Sequence, residues 1–545
     1  MIGFIRKIHG IWELKKINSQ ISSQKKLSET TGKDKITANL EKNKETMVNS
    51  FNNSDDFISR EITLPFMKPV KAILFYIDGL CDGSAISNNV LRPMLVDSRK
   101  ITRDRNIRIS RMGDLMEGFV PGAEACTTSA FSFAVQSIAS GDCALFIDGL
   151  DESLIINTKG WEKRSISEPP TETVVRGSRE GFTENFRTNT ALLRRRLKAP
   201  GLRLETLTIG DRTQTTVGVM FIEGIANRKI VDEIKRRLGN IFTDAIITSG
   251  YVEEFIEEHP HSLFATTGYS ERPDVVAGKL LEGRVAIIID GAPFVLTAPM
   301  LFLEHMQVIE DYTSKTQYAT FVRILRFAAF VVSISTPALF VAISCYHQEL
   351  IPTPLLYTMI ASSEGLPFPT IIETIVMLII YELIREAGVR LPKPVGQAVS
   401  IVGALVMGQA AFEAGVVGAP VVIIIALTAV ASFISPFLNE ATTIIRWFLL
   451  LLSGVMGGLG FGVGAFTLLI HIASIKSYSV PYLHPLAPLS KQDLKDSFYR
   501  TALWKMRKRP LGLNSEDIVR QNMDGPATET NNNGEGLNES QQTLL

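Results

Sequence analysis

Cysteine is scarce in this chain: Cys81, Cys126, Cys143 and Cys345 are the only four in 545 residues. They form no CxxC pair and show no zinc-ligand spacing, so they read as reduced packing residues and no metal is expected. Surplus charge is missing as well. Lys plus Arg and Asp plus Glu number 56 each, which leaves no basic stripe for nucleic acid. Neither GxGxxG nor a Walker lysine pattern is present, and no nucleophile, base and orienting group stand in a recognisable combination. No cofactor and no enzyme are therefore expected. The start, MIGFIRKIHGIWELKK, scatters charges through its apolar residues and has no small-residue cleavage site, so it does not read as a signal peptide.

What the chain does have is hydrophobicity concentrated in one place. From Phe327 to Ile475 it is almost entirely apolar, which calls for an all-α polytopic membrane domain. Spans are expected at about Phe327–Tyr346, Phe368–Ile384, Val395–Ala414 and Val416–Ile434. The last stretch, Trp447–Ile475, is divided by GVMGGLGFGVG at Gly454–Gly464 and crosses once or twice, giving five or six spans. Arg323 and Arg326, then Arg385, Arg390 and Lys393, mark inner loops, whereas 346–367 and 415–420 carry no Lys or Arg and lie outside. A tail bearing Lys505, Arg507, Lys508 and Arg509 belongs inside, which favours six crossings. The segment Thr353–Pro369 is too short to cross and is expected to be re-entrant or to lie at the outer interface.

Ahead of the membrane domain the pattern is α/β and the expected location cytoplasmic. Residues 1–64 read as a flexible polar arm, 65–168 and 169–320 as two related α/β subdomains, 321–476 as the transmembrane domain, and 477–545 as a cytoplasmic tail disordered from about 512. The runs AILFYIDG, ALFIDG and VAIIIDG each read as a buried strand closed by Asp-Gly, where Asp caps the turn and Gly supplies positive φ. Asp78, Asp148 and Asp290 at those ends also suit a metal or nucleotide, but turn chemistry alone explains them. NTALLRRRLK, Asn189–Lys198, reads as a solvated or subunit-contacting helix face.

Polar residues inside the apolar region are the candidate functional groups, because a charge in hydrocarbon costs several kcal/mol. Pro337 frees a helix carbonyl for Ser333, Ser335 or Thr336 to satisfy, and its kink suits either a gate or a packing bend. Glu373 and Glu382 are nine residues apart and face nearly opposite sides of one helix; Glu382 has Arg385 as a ready structural partner. Gln409 and Glu413 share a face at i, i+4 and form the better polar lining, with snorkelling to the interface as the alternative for Glu413. Glu364 is the only charge on the outer segment, and His471 reads as a packed imidazole with one hydrogen bond.

Longer words of the sequence carry a resemblance. YHQELIPTPLL (Tyr346–Leu356), LPFPTIIE (Leu366–Glu373), ELIREAGVRLPKPVG (Glu382–Gly396), SIVGALVMGQAAFEAG (Ser400–Gly415) and SVPYLHPLAP (Ser479–Pro488) closely resemble the A subunits of GerA-type spore germinant receptors. So do VVRGSREGFTEN (Val174–Asn185) and VAIIIDGAPFVLTAP in the α/β part, and the match runs from about Pro65 to Arg509. The resemblance implies a three-part receptor in the inner membrane of a dormant bacterial spore. In it the A subunit joins a transporter-like B subunit and a lipoprotein C subunit, meets membrane lipid, and oligomerises into a nutrient-gated cation channel that starts germination. Ser178 stands where the family usually has Pro, Ser363 where Arg is common, and Tyr478-Ser479 where Phe-Gly is usual. A secondary transporter, favoured by Pro- and Gly-interrupted spans but lacking an evident inverted repeat, is the alternative.

Overall fold

The computed structural model describes residues 35–65, 69–97, 112, 125–160, 169–390 except 170, 173 and 175, 408–434, 438–513 and 515–521. Order begins inside the segment expected to be a flexible arm. Leu40–Ser50 forms helix α1, capped by the Asn39 side chain, and Phe57–Leu64 forms strand β1, which pairs along its whole length with β2, Val70–Ile77. Composition hid both elements because α1 buries only Leu40, Asn43 and Met47, and β1 is an edge strand that leaves most of its residues partly or fully exposed. The rest of the arm, 1–34, lies outside the described residues.

Two five-stranded antiparallel sheets follow one plan. The first contains β3 (Ala125–Thr128), β4 (Cys143–Ile147) and β5 (Ser153–Ile156) in the order β1-β2-β4-β5-β3, with helix α2 (Phe131–Ala139) between β3 and β4. Helix α3 (Phe186–Arg196) leads into the second, built from β6 (Leu202–Ile209), β7 (Thr215–Ile222), β8 (Gly268–Ser270), β9 (Val285–Ile289) and β10 (Val295–Ala298) in the order β6-β7-β9-β10-β8. Helices α4 (Arg228–Gly239) and α5 (Ser249–Ile256) join β7 to β8, and α6 (Pro273–Leu281) joins β8 to β9. Every residue of β4 and β9 is buried, since apolar clusters cover both faces of each sheet, and that is why these strands read as unbroken apolar runs.

The same local chemistry recurs in both halves. Thr37, Asn39 and Asn43 in the first are matched by Thr183, Asn185 and Asn189 in the second: the first Asn caps the following helix, and the second accepts the Thr N–H, at 3.0 and 2.8 Å respectively. Each half also has two strands closed by an acid-Gly turn, Asp78-Gly79 and Asp148-Gly149, then Glu223-Gly224 and Asp290-Gly291, with glycine φ of 86°, 87°, 77° and 82°. The Glu223 turn is the one a search for Asp-Gly overlooks. Two of these acids make contacts within the fold: Asp78 lies 3.2 Å from Arg187, and Asp290 accepts the Phe186 N–H at 3.2 Å.

Arg194 joins the halves. Its guanidinium pairs with both oxygens of Asp56, at 2.6 and 2.7 Å, and donates to Ser54, and neither charged side chain is more than 2 % exposed. The basic run at 189–198 is thus not a solvated face at its centre, while Arg195 and Arg196 do reach Glu180.

The membrane part comprises α7 (Thr316–Tyr346), α8 (Thr353–Ser363), α9 (Thr370–Arg390), a helical turn at 408–413, α10 (Ala419–Phe433) and α11 (Asn439–Ser474). Two of them, α7 and α11, are long and apolar enough to cross a membrane, and α10 is a shorter apolar helix. Residues 391–407, which hold most of the expected third span together with Lys393, lie outside the described residues. Helix α11 breaks at Gly457, whose φ of 59° and ψ of −138° suit only glycine. Its arms fold back on each other: a Cβ on Gly464 would meet Leu449 at 2.8 Å. Ala441 and Ile445 from one end and Ile472 and Ile475 from the other share an apolar cluster with Phe302 of the α/β part and Tyr482 of the tail. Each arm of 17 or 18 residues spans about 26 Å. The hydroxyl of Tyr346, at the end of α7, donates to the Gly454 carbonyl at 2.6 Å beside the break.

The tail is packed further than its composition implies. Beyond residue 512, Ser515 donates to the Glu282 carbonyl, the Glu516 N–H to the Ile225 carbonyl, and Asp517 pairs with Arg509 at 2.8 Å. Bonds of Ser515 and Glu516 to the α/β part, and of Arg520 and Gln521 back to Arg507 of the tail, hold this polar segment.

Candidate functional site

Pro337 sits buried within α7 and lacks the N–H that the Ser333 carbonyl needs. The nearby hydroxyls do not supply it, because Ser333, Ser335 and Thr336 donate to the carbonyls of Phe330, Val331 and Val332. Arg446 does, its Nε lying 2.8 Å from the Ser333 oxygen. That arginine precedes the last apolar stretch and reads from sequence as an inner flanking charge; in the fold its side chain is 0 % exposed.

The same guanidinium reaches Glu382 on α9, with Nη1 2.9 Å from Oε1, while Arg385 lies 2.6 Å from Oε2. Tyr381 completes the cluster. Both guanidiniums lie over its ring, at 5.7 and 5.9 Å, and its hydroxyl meets Ser432 of α10 at 2.5 Å. Arg385 also donates to Thr443 at the start of α11. One carboxylate between two cations therefore ties α7, α9, α10 and α11 together beside Pro337, an arrangement suited to holding helices in place rather than to catalysis.

The other candidates divide. Glu373 is 2 % exposed and accepts the Gly418 N–H at 2.8 Å, so its charge sits at the N-terminus of α10, where the helix dipole favours it. Gln409 donates to Glu413 at 2.8 Å; both are exposed, and Gln409 also lines an apolar cavity with Tyr381 of α9 and Val422 of α10. Glu364 ends α8, an apolar helix with no buried residue, and is exposed. His471 meets Ser262 of the α/β part at 3.2 Å.

Beneath the membrane helices lies a dense polar junction. Asp311 pairs with Arg323 at 3.1 Å and Arg326 at 2.6 Å at the foot of α7, and Arg323 reaches Asp496 of the tail at 2.9 Å. Burial pushes the Lys279 amine below its ordinary value, and His305, 3.0 Å from the Tyr482 hydroxyl, falls to about 3 for the same reason. Burial, with Glu257 and Glu440 nearby, raises Glu253 to about 7. Of the positions that depart from the resemblance, Ser178 accepts from Arg196 at 2.6 Å, and Ser479 adopts a φ of 69° that glycine would hold without strain. No cluster of His, Cys, Asp and Glu able to hold a metal occurs among the described residues.

A duplicated α/β unit fused to a kinked, ion-paired helical membrane unit is the class of protein this architecture defines. Residues 45–511 match the family described as Bacillus/Clostridium GerA spore germination protein, and the chain belongs to that family. It is 43% identical over 491 residues to Spore germination protein KA of Bacillus subtilis (strain 168), covering 90% of this chain and 89% of that one. Over 477 residues it is 40% identical to the membrane protein YfkQ of the same organism, covering 87% and 91%. Among solved structures, the N-terminal domain of the A subunit of the Bacillus megaterium spore germinant receptor GerK3 is 36% identical, covers 49% of this chain and 97% of its own, and superposes with a TM-score of 0.39.

Proposed function

We propose that this chain is a non-enzymatic membrane subunit of a nutrient-sensing germinant receptor in the inner spore membrane, where copies of it assemble into a nutrient-gated cation channel. It works with a transporter-like B subunit and a lipoprotein C subunit, and its α/β part faces the spore core. Membership of the spore germination family supports the receptor role. The channel reading rests on the Gln409–Glu413 pair. Glu373 and Glu382 are consumed by contacts within the chain, whereas Glu413 is exposed on an apolar bundle and its partner Gln409 lines a cavity between α9 and α10. Left against lipid Glu413 would cost several kcal/mol, so water, ions or a second copy meet it there. Six crossings are supported by the α11 hairpin, which brings both of its ends to the α/β side.

Cation efflux from spores tests this reading. Glu413→Gln keeps size and hydrogen bonding but removes the charge, so ion release should slow at matched receptor abundance. Unchanged efflux would remove Glu413 from the path and leave Glu373 as the next candidate.

A further inference from the structure

Where the tail passes under the second sheet, it closes a cavity of about 760 Å³ that none of the preceding chemistry uses. That volume is typical of a small-molecule site. Its walls come from the α6–β9 turn, the 301–307 segment and the tail from His484 to Arg520. Each carboxylate on the wall already has a partner. Glu304 pairs with Arg284 at 2.6 Å, and Glu282 lies 3.6 Å from Arg284 and 3.8 Å from Arg520. Asp493 meets His484 at 2.7 Å and accepts the N–H groups of Leu511 and Gly512; Asp496 meets Arg323 and the Tyr312 hydroxyl.

Four lysines on the wall, Lys491, Lys495, Lys505 and Lys508, are exposed and make no ion pair among the described residues; Lys505 lies over the Trp504 ring at 4.7 Å, which leaves Lys491, Lys495 and Lys508 as the surplus cations. Two buried donors point to the same imbalance. Arg284 Nε, on a side chain only 6% exposed, and Gln492 Nε2 have no acceptor in the protein. A cavity with saturated carboxylates, surplus ammonium groups and idle buried donors is complementary to negative charge.

We propose that this cavity binds a small phosphate-bearing anion, held by Lys491, Lys495 and Lys508. Lysine ammonium groups serve as point charges for phosphate oxygens, and three of them suit a multivalent anion. The wall residue Asp496 is bonded to Arg323 at the foot of α7, and Arg284 of the α/β part lines the same space, so the bound anion sits between the tail and the α/β part beside the first membrane helix. The phosphate comes either from a free solute or from a lipid headgroup at the inner membrane surface.

The test uses the full-length protein in nanodiscs and the charge-removing triple variant Lys491→Gln/Lys495→Gln/Lys508→Gln. All three side chains are exposed, so the variant should keep the wild-type melting temperature when no anion is present. In phosphatidylcholine discs, inorganic pyrophosphate should bind wild type, weaken with added salt, and bind the triple variant at least about tenfold less tightly. If pyrophosphate is silent but phosphatidylglycerol discs raise the melting temperature of wild type and not of the variant, the source is the lipid headgroup. Equal responses of the two proteins to both probes, or no response of wild type to either, would overturn the proposal.

Discussion

Arg446 does two things with one guanidinium: it satisfies the carbonyl that Pro337 orphans and it pairs with Glu382. Replacing it by Leu leaves Glu382 with Arg385 alone and strands the Ser333 carbonyl in a buried setting. The cost expected for breaking such a pair is about 3–5 kcal/mol, read as a lower melting temperature and reduced abundance of the full-length protein in membranes. Glu382→Gln should cost less, because the amide still accepts a hydrogen bond from Arg446. A melting temperature unchanged in Arg446→Leu would show that the cluster does not hold these helices together. This residue was hard to find in the sequence, since a basic residue beside an apolar run ordinarily marks the inner membrane surface. Its partner carbonyl lies 113 positions away. Glu382 and Arg385 were readable as a pair because three residues along a helix place them on one face.

At the scale of elements, strands with both faces covered announced themselves and elements with one thin buried stripe did not. The apolar runs of β2, β4 and β9 stood out, whereas α1 and β1 disappeared into a polar arm. Gly457 is the decisive position in α11. Its φ of 59° turns the helix back, and a Cβ there would meet Tyr346 Cγ at 2.7 Å. Gly457→Ala should therefore destabilise the hairpin by about 1–3 kcal/mol of backbone strain, before any displacement of Tyr346. The expected readout is a lower melting temperature with little change for Gly462→Ala, where a Cβ meets nothing within 4 Å. Equal tolerance of the two substitutions would mean that the helix runs straight through. The glycine cluster was visible from sequence, but which of its members carries the turn depends on the left-handed backbone at one residue.

For the whole molecule, the hairpin and the packed tail imply an orientation that labelling can check. In a cysteine-free background, Gln348→Cys should react with an impermeant thiol reagent applied from outside, and Leu489→Cys, exposed on the tail, should not. Reaction at both positions would mean five crossings, and the reverse pattern would overturn the orientation. The two sheets share one strand order and one set of capping residues, and the second half meets the membrane helices through Phe302 and the tail. Phe264, on the loop leading into β8 of the second sheet, packs into the same junction, which gives the halves different mechanical positions in the receptor.

By itself the sequence determined that the chain couples an α/β part to a membrane part, because apolar runs and charge asymmetry are local properties that any fold must respect. It also carried the family resemblance in words long enough to be specific. Only the tertiary structure decided how the buried charges are used. Whether Glu373 caps α10, whether Arg194 joins the two halves and whether Arg446 closes the Pro337 gap depend on partners 45, 138 and 113 residues away. Such pairings form where burial makes an unpaired charge too costly to leave, and that cost exists only once the surrounding helices and sheets have excluded water.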